Sequence, residues 1–196
     1  MSDPTPPHIA RLVPRLGLAG TERVLELGGA PGVAAAAIAR LLTGGGHVTV
    51  VDRSATGVRR TAERNRDLVG AGRVTVLRQD LAAIEPGAAH FPAASFDVVL
   101  ASNVNVFWTH PARANVAALA ALLRVPGGRL HLFYGYGGRA AHGAVTSHPA
   151  GDDGDGARSD VGERVAATLA AEPALTAVEV HRLGPSVEIR ARRAAA

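Results

Sequence analysis

The chain has 196 residues, 47% of them hydrophobic, no cysteine, and a formal charge of +4 in which every basic residue is an arginine. That length favours one core, and hence a single domain spanning residues 1–196, while the missing cysteine removes disulfides, thiolate metal sites and cysteine nucleophiles together. No apolar run approaches the roughly 20 residues of a membrane span, the N-terminus lacks a secretory pattern, and the pairs Arg59-Arg60 and Arg192-Arg193 form no long basic arm, so we expect a cytoplasmic protein with no membrane partner and no nucleic-acid partner.

In chain order, Ile9, Leu12, Val13 and Leu16 recur at helical spacing and predict a short helical cap within residues 1–20 that ends near Gly17. An apolar strand at 23–27 runs into a glycine cluster, and Val33 to Leu42 has the alanine and leucine content of a buried helix closed by Gly44, Gly45 and Gly46. The pattern then repeats as strand 47–52, helix 55–69, strand 73–80, strand 96–102, helix 111–124 and strand 129–136. Such alternation predicts an α/β fold, a parallel sheet with helices on both faces. Residues 137–160 are rich in Gly and Asp and predict a flexible loop. After a helix at 161–172, LTAVEVHRLG and SVEIRARR are separated by only a short Gly184-Pro185 turn, so this last pair must be antiparallel.

Chemistry concentrates in VLELGGAPGVAA, which begins at Val24. A phosphate-gripping P-loop requires a lysine that the chain lacks. A dinucleotide turn requires GxGxxG, whereas Gly28 is followed by Ala30 and Val33 at the second and third glycine positions. Glu26 is also poorly placed beside a pyrophosphate, because like charges at short range repel. The acid becomes favourable if the ligand is cationic.

On those residues the stretch resembles the first motif of class I S-adenosylmethionine-dependent methyltransferases. The resemblance covers about residues 20–136 plus the tail. It implies a Rossmann-like seven-stranded, mostly parallel sheet with an antiparallel last strand, S-adenosyl-L-methionine as cofactor, and Glu26, Gly28, Gly29, Ala30 and Gly32 against its methionine half. Ala30 stands where the family usually has glycine; if that position needed positive φ, its methyl group would cost about 1 kcal/mol or more. The resemblance further implies Asp52 on the ribose diol with Arg53 beside the adenine, Asp80 and Leu81 at the adenine, and Asn103 near the reactive end. LLRVPGGRLHLF is similar to the proline-glycine turn before the family's fifth strand. The competing reading of an aspartate at a strand end is a helix cap or turn former; it stays open for Asp80, and for Asp97 we prefer it.

For the acceptor, Asn105, Phe107, Trp108, His110 and Tyr136 are candidates to line a small-molecule pocket, against core packing for Phe107 and Trp108 and helix capping for His110. His110 and Tyr134 are the candidate proton acceptors, although alignment and desolvation can drive methyl transfer without a dedicated base. The Asn-or-Asp, Pro-Pro, aromatic motif of exocyclic base-amine methylation is absent, since Val104, Asn105 and Val106 follow Asn103. The eight histidines are scattered and GDDGDG at 151–156 lacks the alternating ligand pattern of a calcium loop, so no metal is expected. Two other readings use the same residues: an S-adenosylmethionine-binding protein without methyl transfer, and an NAD(P)-dependent oxidoreductase, which the acid and the glycine spacing disfavour.

Overall fold

The structure, a computed structural model, describes residues 5–135, 156–184 and 186–195. Its strands are β1 (Arg23–Leu27), β2 (His47–Asp52), β3 (Val74–Arg78), β4 (Val98–Ser102), β5 (Arg129–Tyr134), β6 (Leu175–Leu183) and β7 (Ser186–Arg193). They form one sheet in the order β3-β2-β1-β4-β5-β7-β6. Strands β1 to β5 pair in parallel, and β7 runs antiparallel to both β5 and β6.

The helices are α1 (Pro7–Leu12), α2 (Val33–Leu41), α3 (Ala55–Arg64), α4 (Arg66–Gly70), α5 (Val106–Thr109), α6 (Arg113–Leu122) and α7 (Gly156–Ala170). Alternation along the strands assigns them to two faces. Val24, Val48, Val50, Val98 and Leu100 pack with Ile9, Leu12 and Leu16 of the N-terminal segment and with Ala34, Ala35 and Ile38 of α2. On the other face, Leu25, Leu27, Val99, Leu130 and Leu132 pack with Val116, Leu119 and Leu122 of α6 and Val165 and Leu169 of α7. Glu26, between Leu25 and Leu27 in β1, therefore shares the α2 face with Val24.

Several boundaries differ from the sequence expectations. The N-terminal helix is α only to Leu12 and continues as a 3-10 turn over Val13–Leu16, because Pro14 has no N–H to extend the α ladder. The helix expected at 55–69 breaks at Asn65 into α3 and α4. Of the loop expected over 137–160, residues 156–160 belong to α7, which begins at Gly156; Tyr136 and residues 137–155 lie outside the described residues. Among the described residues no helix is long and apolar enough to cross a membrane.

Candidate functional site

Parallel pairing brings the carboxyl ends of β1 to β5 to one edge of the sheet. Asp52 ends β2, Glu26 is the penultimate residue of β1, and Asp80 and Asn103 follow β3 and β4. In sheet order the edge reads Asp80, Asp52, Glu26 with the glycine loop, Asn103 and Tyr134. The chain winds outward from β1 to β3 in one direction and from β4 to β5 in the other. The loop after β1 and the loop after β4 thus flank the crevice where ligands bind in open α/β sheets.

The loop's geometry explains its composition. Gly28 and Gly32 have φ of +65° and +82°, in the left-handed region that glycine occupies at little cost. A side chain on Gly28 would meet Val104 Cγ2 at 2.8 Å, and one on Gly29 would meet Val50 Cγ1 at 2.6 Å and Glu26 Cδ at 2.7 Å. Ala30 is not in that region, so the methyl group in the usual glycine's place carries no backbone penalty. Behind the loop, Gly57 in the first turn of α3 leaves room for Ala30 and Asp52: a Cβ there would stand 2.9 Å from Ala30 Cβ.

Asn65 supports the loop from below and was not legible as a site residue. It is buried, and its Nδ2 donates to the carbonyls of Gly32 at 3.0 Å and Thr61 at 2.9 Å. The signal that could have marked it is a short amide in an otherwise arginine-rich helix, where Asn is a poor helix former. Asn65→Ala is expected to lower unfolding free energy by about 1–2 kcal/mol, the net worth of the two hydrogen bonds its Nδ2 makes, since the Gly32 and Thr61 carbonyls keep the backbone donors Ala36 N and Asn65 N. An unchanged urea midpoint would contradict that role.

Glu26 is 5% exposed, and its Oε2 has no hydrogen-bond partner among the described residues. Burial pushes its carboxyl up to about 8 and the nearby charge of Asp52 adds to the shift, against the single opposing backbone N–H of Ala35. A buried acid with an unpartnered oxygen has an unmet need for a donor or a cation. Asp52 is half-buried, accepting from Ser54 N at 2.8 Å and, at 3.4 Å, from Ala30 N. Arg53 beside it is exposed.

Asp80 is exposed and caps the 3-10 turn Leu81–Ala83, accepting from Ala82 N at 2.9 Å through Oδ1. The capping role is therefore real, and it occupies one carboxylate oxygen. Asn103 has φ +55° and joins β4 to β5: its N–H donates to Phe133 O at 2.8 Å and its Oδ1 accepts from Gly135 N at 2.8 Å. Asp97 lies at the opposite edge, accepting from Arg23 N at 2.9 Å and pairing with Arg124 at 3.0 Å.

Of the acceptor candidates, Asn105 and His110 are exposed, while Phe107 and Trp108 are buried in the core shared with α6 and α7. They lie on α5, a single helical turn between the expected strand 96–102 and helix 111–124. Trp108 packs against Tyr134 at a 35° tilt with ring centroids 4.8 Å apart, and its Nε1 is buried without a partner among the described residues. His110 Nδ1 is 2.7 Å from Thr109 Oγ1. Phe107, Trp108 and His110 border a groove of about 540 Å³ closed on its other side by Arg164, Val165 and Thr168 of α7. None of the glycine-loop residues lines it, so it adjoins the crevice rather than filling it.

Comparison with known proteins agrees with this arrangement. Residues 24–128 match the family model described as a methyltransferase domain. Among solved structures, the chain is similar to an S-adenosylmethionine-dependent methyltransferase from Aquifex aeolicus, with 15% identity, a TM-score of 0.66, and coverage of 98% of this chain and 94% of that one. It is also similar to magnesium protoporphyrin IX methyltransferase from Synechocystis with bound S-adenosylmethionine, at 18% identity, TM-score 0.59, and 95% and 78% coverage. A third is phosphoethanolamine N-methyltransferase 2 of Haemonchus contortus in complex with S-adenosyl-L-methionine, at 21% identity and TM-score 0.64, where 90% of this chain spans 38% of the other. No curated protein matches the sequence. With more than half of the chain matched by the family model, on a seven-stranded sheet of the same kind, the protein belongs to the methyltransferase-domain family and is an S-adenosylmethionine-dependent methyltransferase.

Proposed function

We propose that the chain works as one domain in the cytoplasm and methylates a small-molecule acceptor at a hydroxyl, amine or carbon nucleophile. Glu26 is the observation that carries the cofactor half of this reading: a buried acid with an unpartnered oxygen beneath a glycine loop suits a cationic methionine moiety, beside which it ionises. When bound, S-adenosylmethionine supplies an electrophilic methyl group on a sulfonium centre. Gly28, Gly29, Ala30 and Gly32 leave the loop backbone bare for close approach. Asp52 supplies acceptors for a ribose diol, Arg53 flanks the adenine, and Asp80 and Leu81 meet its amino edge. Asn103 holds the β4 and β5 ends in register beside the reactive end.

On the acceptor side, Trp108 and Tyr134 present an aromatic wall, with Asn105, Phe107 and His110 beside it. Where the acceptor carries a hydroxyl, His110 or Tyr134 takes up its proton; otherwise alignment and exclusion of water suffice. Two of the similar structures are named for small acceptors, magnesium protoporphyrin IX and phosphoethanolamine, which supports this choice.

Incubation of the protein with methyl-labelled S-adenosylmethionine and a fractionated cell extract tests the acceptor class. Label is expected in the low-molecular-weight fraction. Label confined to nucleic acid or protein would overturn the proposal.

A further inference from the structure

A second polar site lies on the α2 side of the sheet, toward the amino end of β5 and away from the glycine loop. Arg15, Arg129, His131, Glu179, Arg190 and Arg192 line a cavity of about 220 Å³. The register puts Arg129 directly opposite Arg192 and His131 opposite Arg190 across the β5–β7 pair. Like charges facing each other across antiparallel strands, as Arg129 and Arg192 do, are destabilising unless something between them accepts hydrogen bonds.

The three acids close to the arginines are already engaged. Glu188 Oε1 accepts from His131 Nδ1 at 2.9 Å and from Arg190 Nε at 2.7 Å, and its Oε2 accepts from Arg15 Nε. Glu179, opposite Arg190 on β6, pairs with His181 at 2.9 Å. Glu22, within electrostatic reach of Arg129, accepts from the N–H groups of Ala19 and Gly20. Two buried nitrogens are left without partners among the described residues, Arg129 Nε and His131 Nε2, and the His131 side chain is only 3% exposed.

These two orphans have opposite hydrogen-bond character. Arg129 Nε–H can only donate. Because the Glu188 carboxylate can only accept, His131 carries its proton on Nδ1 and offers a lone pair at Nε2. A matching ligand must be an anion that also bears a hydroxyl, small enough for this cavity.

We propose that this cavity binds a protonated phosphate group, either inorganic phosphate or a phosphate monoester, with Arg129 and Arg192 donating to its charged oxygens and His131 Nε2 accepting from its P–OH. Sulfate has the same size and shape but no hydroxyl at neutral pH, so His131 makes the site selective for phosphate. Unlike the cofactor crevice, this site requires neither Glu26 nor Asp52.

The proposal is tested by calorimetric titration of the full chain at pH 6.5 with inorganic phosphate, glycerol 3-phosphate and sodium sulfate in turn. Phosphate is expected to bind about tenfold or more tightly than sulfate, the worth of one hydrogen bond to a charged partner. Tighter binding of glycerol 3-phosphate than of inorganic phosphate would identify an ester as the source, and the reverse would identify the free ion. Arg129→Gln/Arg192→Gln is expected to abolish phosphate binding while S-adenosylmethionine binding and the urea midpoint stay unchanged. Equal affinities for phosphate and sulfate, no phosphate binding, or undiminished binding in the double variant would each overturn it.

Discussion

Glu188→Ala is expected to lower the unfolding free energy by about 3–5 kcal/mol, the typical cost of removing one member of a buried ion network and leaving its partners uncompensated. Glu188 is 0% exposed and is held by three groups from three parts of the chain: Arg15 in the 3-10 turn, His131 in β5 and Arg190 in β7. The interaction with Arg15 is the charged tie between the N-terminal segment and the antiparallel end of the sheet. Burial alone would raise the Glu188 carboxyl; the hydrogen bonds from His131, Arg190 and Arg15 outweigh it and hold the group at about 2.

That depression fixes a pH dependence. As pH falls, the unfolded chain takes up the proton first, near the ordinary carboxyl value of about 4.3. The stabilisation from Glu188 is therefore complete above that value and is lost as pH falls toward about 2. Urea unfolding of the wild type should show this loss, and Glu188→Ala should lack the corresponding part of it. A loss under about 1 kcal/mol in the variant, within the range of exposed pairs, would show the network to be a surface arrangement instead.

None of this network was legible in the sequence, because Arg15 and Glu188 are 173 positions apart and each looks like a solvated charge. The elements that did read correctly carried strong local signals. β1 and β2 are short apolar runs buried on both faces, and β7 alternates from Ile189 to Arg192, broken only at the buried Glu188 before it. The edge carrying Glu26 and Asp52 followed from spacing, since parallel strands of similar length bring their ends together. What failed had weak or competing signals. A one-turn helix such as α5 has no periodicity to detect, and the strand expected over 73–80 ends at Arg78, because Asp80 caps a 3-10 turn. Asn65 broke a helix whose arginines and alanines favoured continuing. Whether Ala30 was strained depended on one backbone torsion that residue identity alone does not set.

The second large effect concerns cofactor affinity. In the free protein the Glu26 carboxyl is pushed up to about 8, so at neutral pH it is mostly protonated. A cationic ligand beside it favours the ionised form, and binding below that value must release a proton. Affinity for S-adenosylmethionine should therefore rise with pH by up to about tenfold per unit between pH 6 and 7.5. Glu26→Gln keeps the shape of the side chain but cannot ionise. It should bind about 10- to 100-fold more weakly at pH 7.5, the worth of a charge-assisted hydrogen bond, and lose the pH slope. The same raised value makes the free fold less stable as pH climbs from about 4.3 toward 8, so the Gln variant should be at least as stable as the wild type at pH 7.5. A loss of affinity in that variant is then not a loss of folding.

The most direct test of Glu26 as the cofactor-facing charge is calorimetric titration of S-adenosylmethionine into the wild type and Glu26→Gln at pH 6, 6.75 and 7.5. The account predicts affinity that climbs with pH in the wild type, with proton release that scales with buffer ionisation heat, and a weaker, flat profile in the variant. Equal affinities and equal slopes in the two proteins would contradict it.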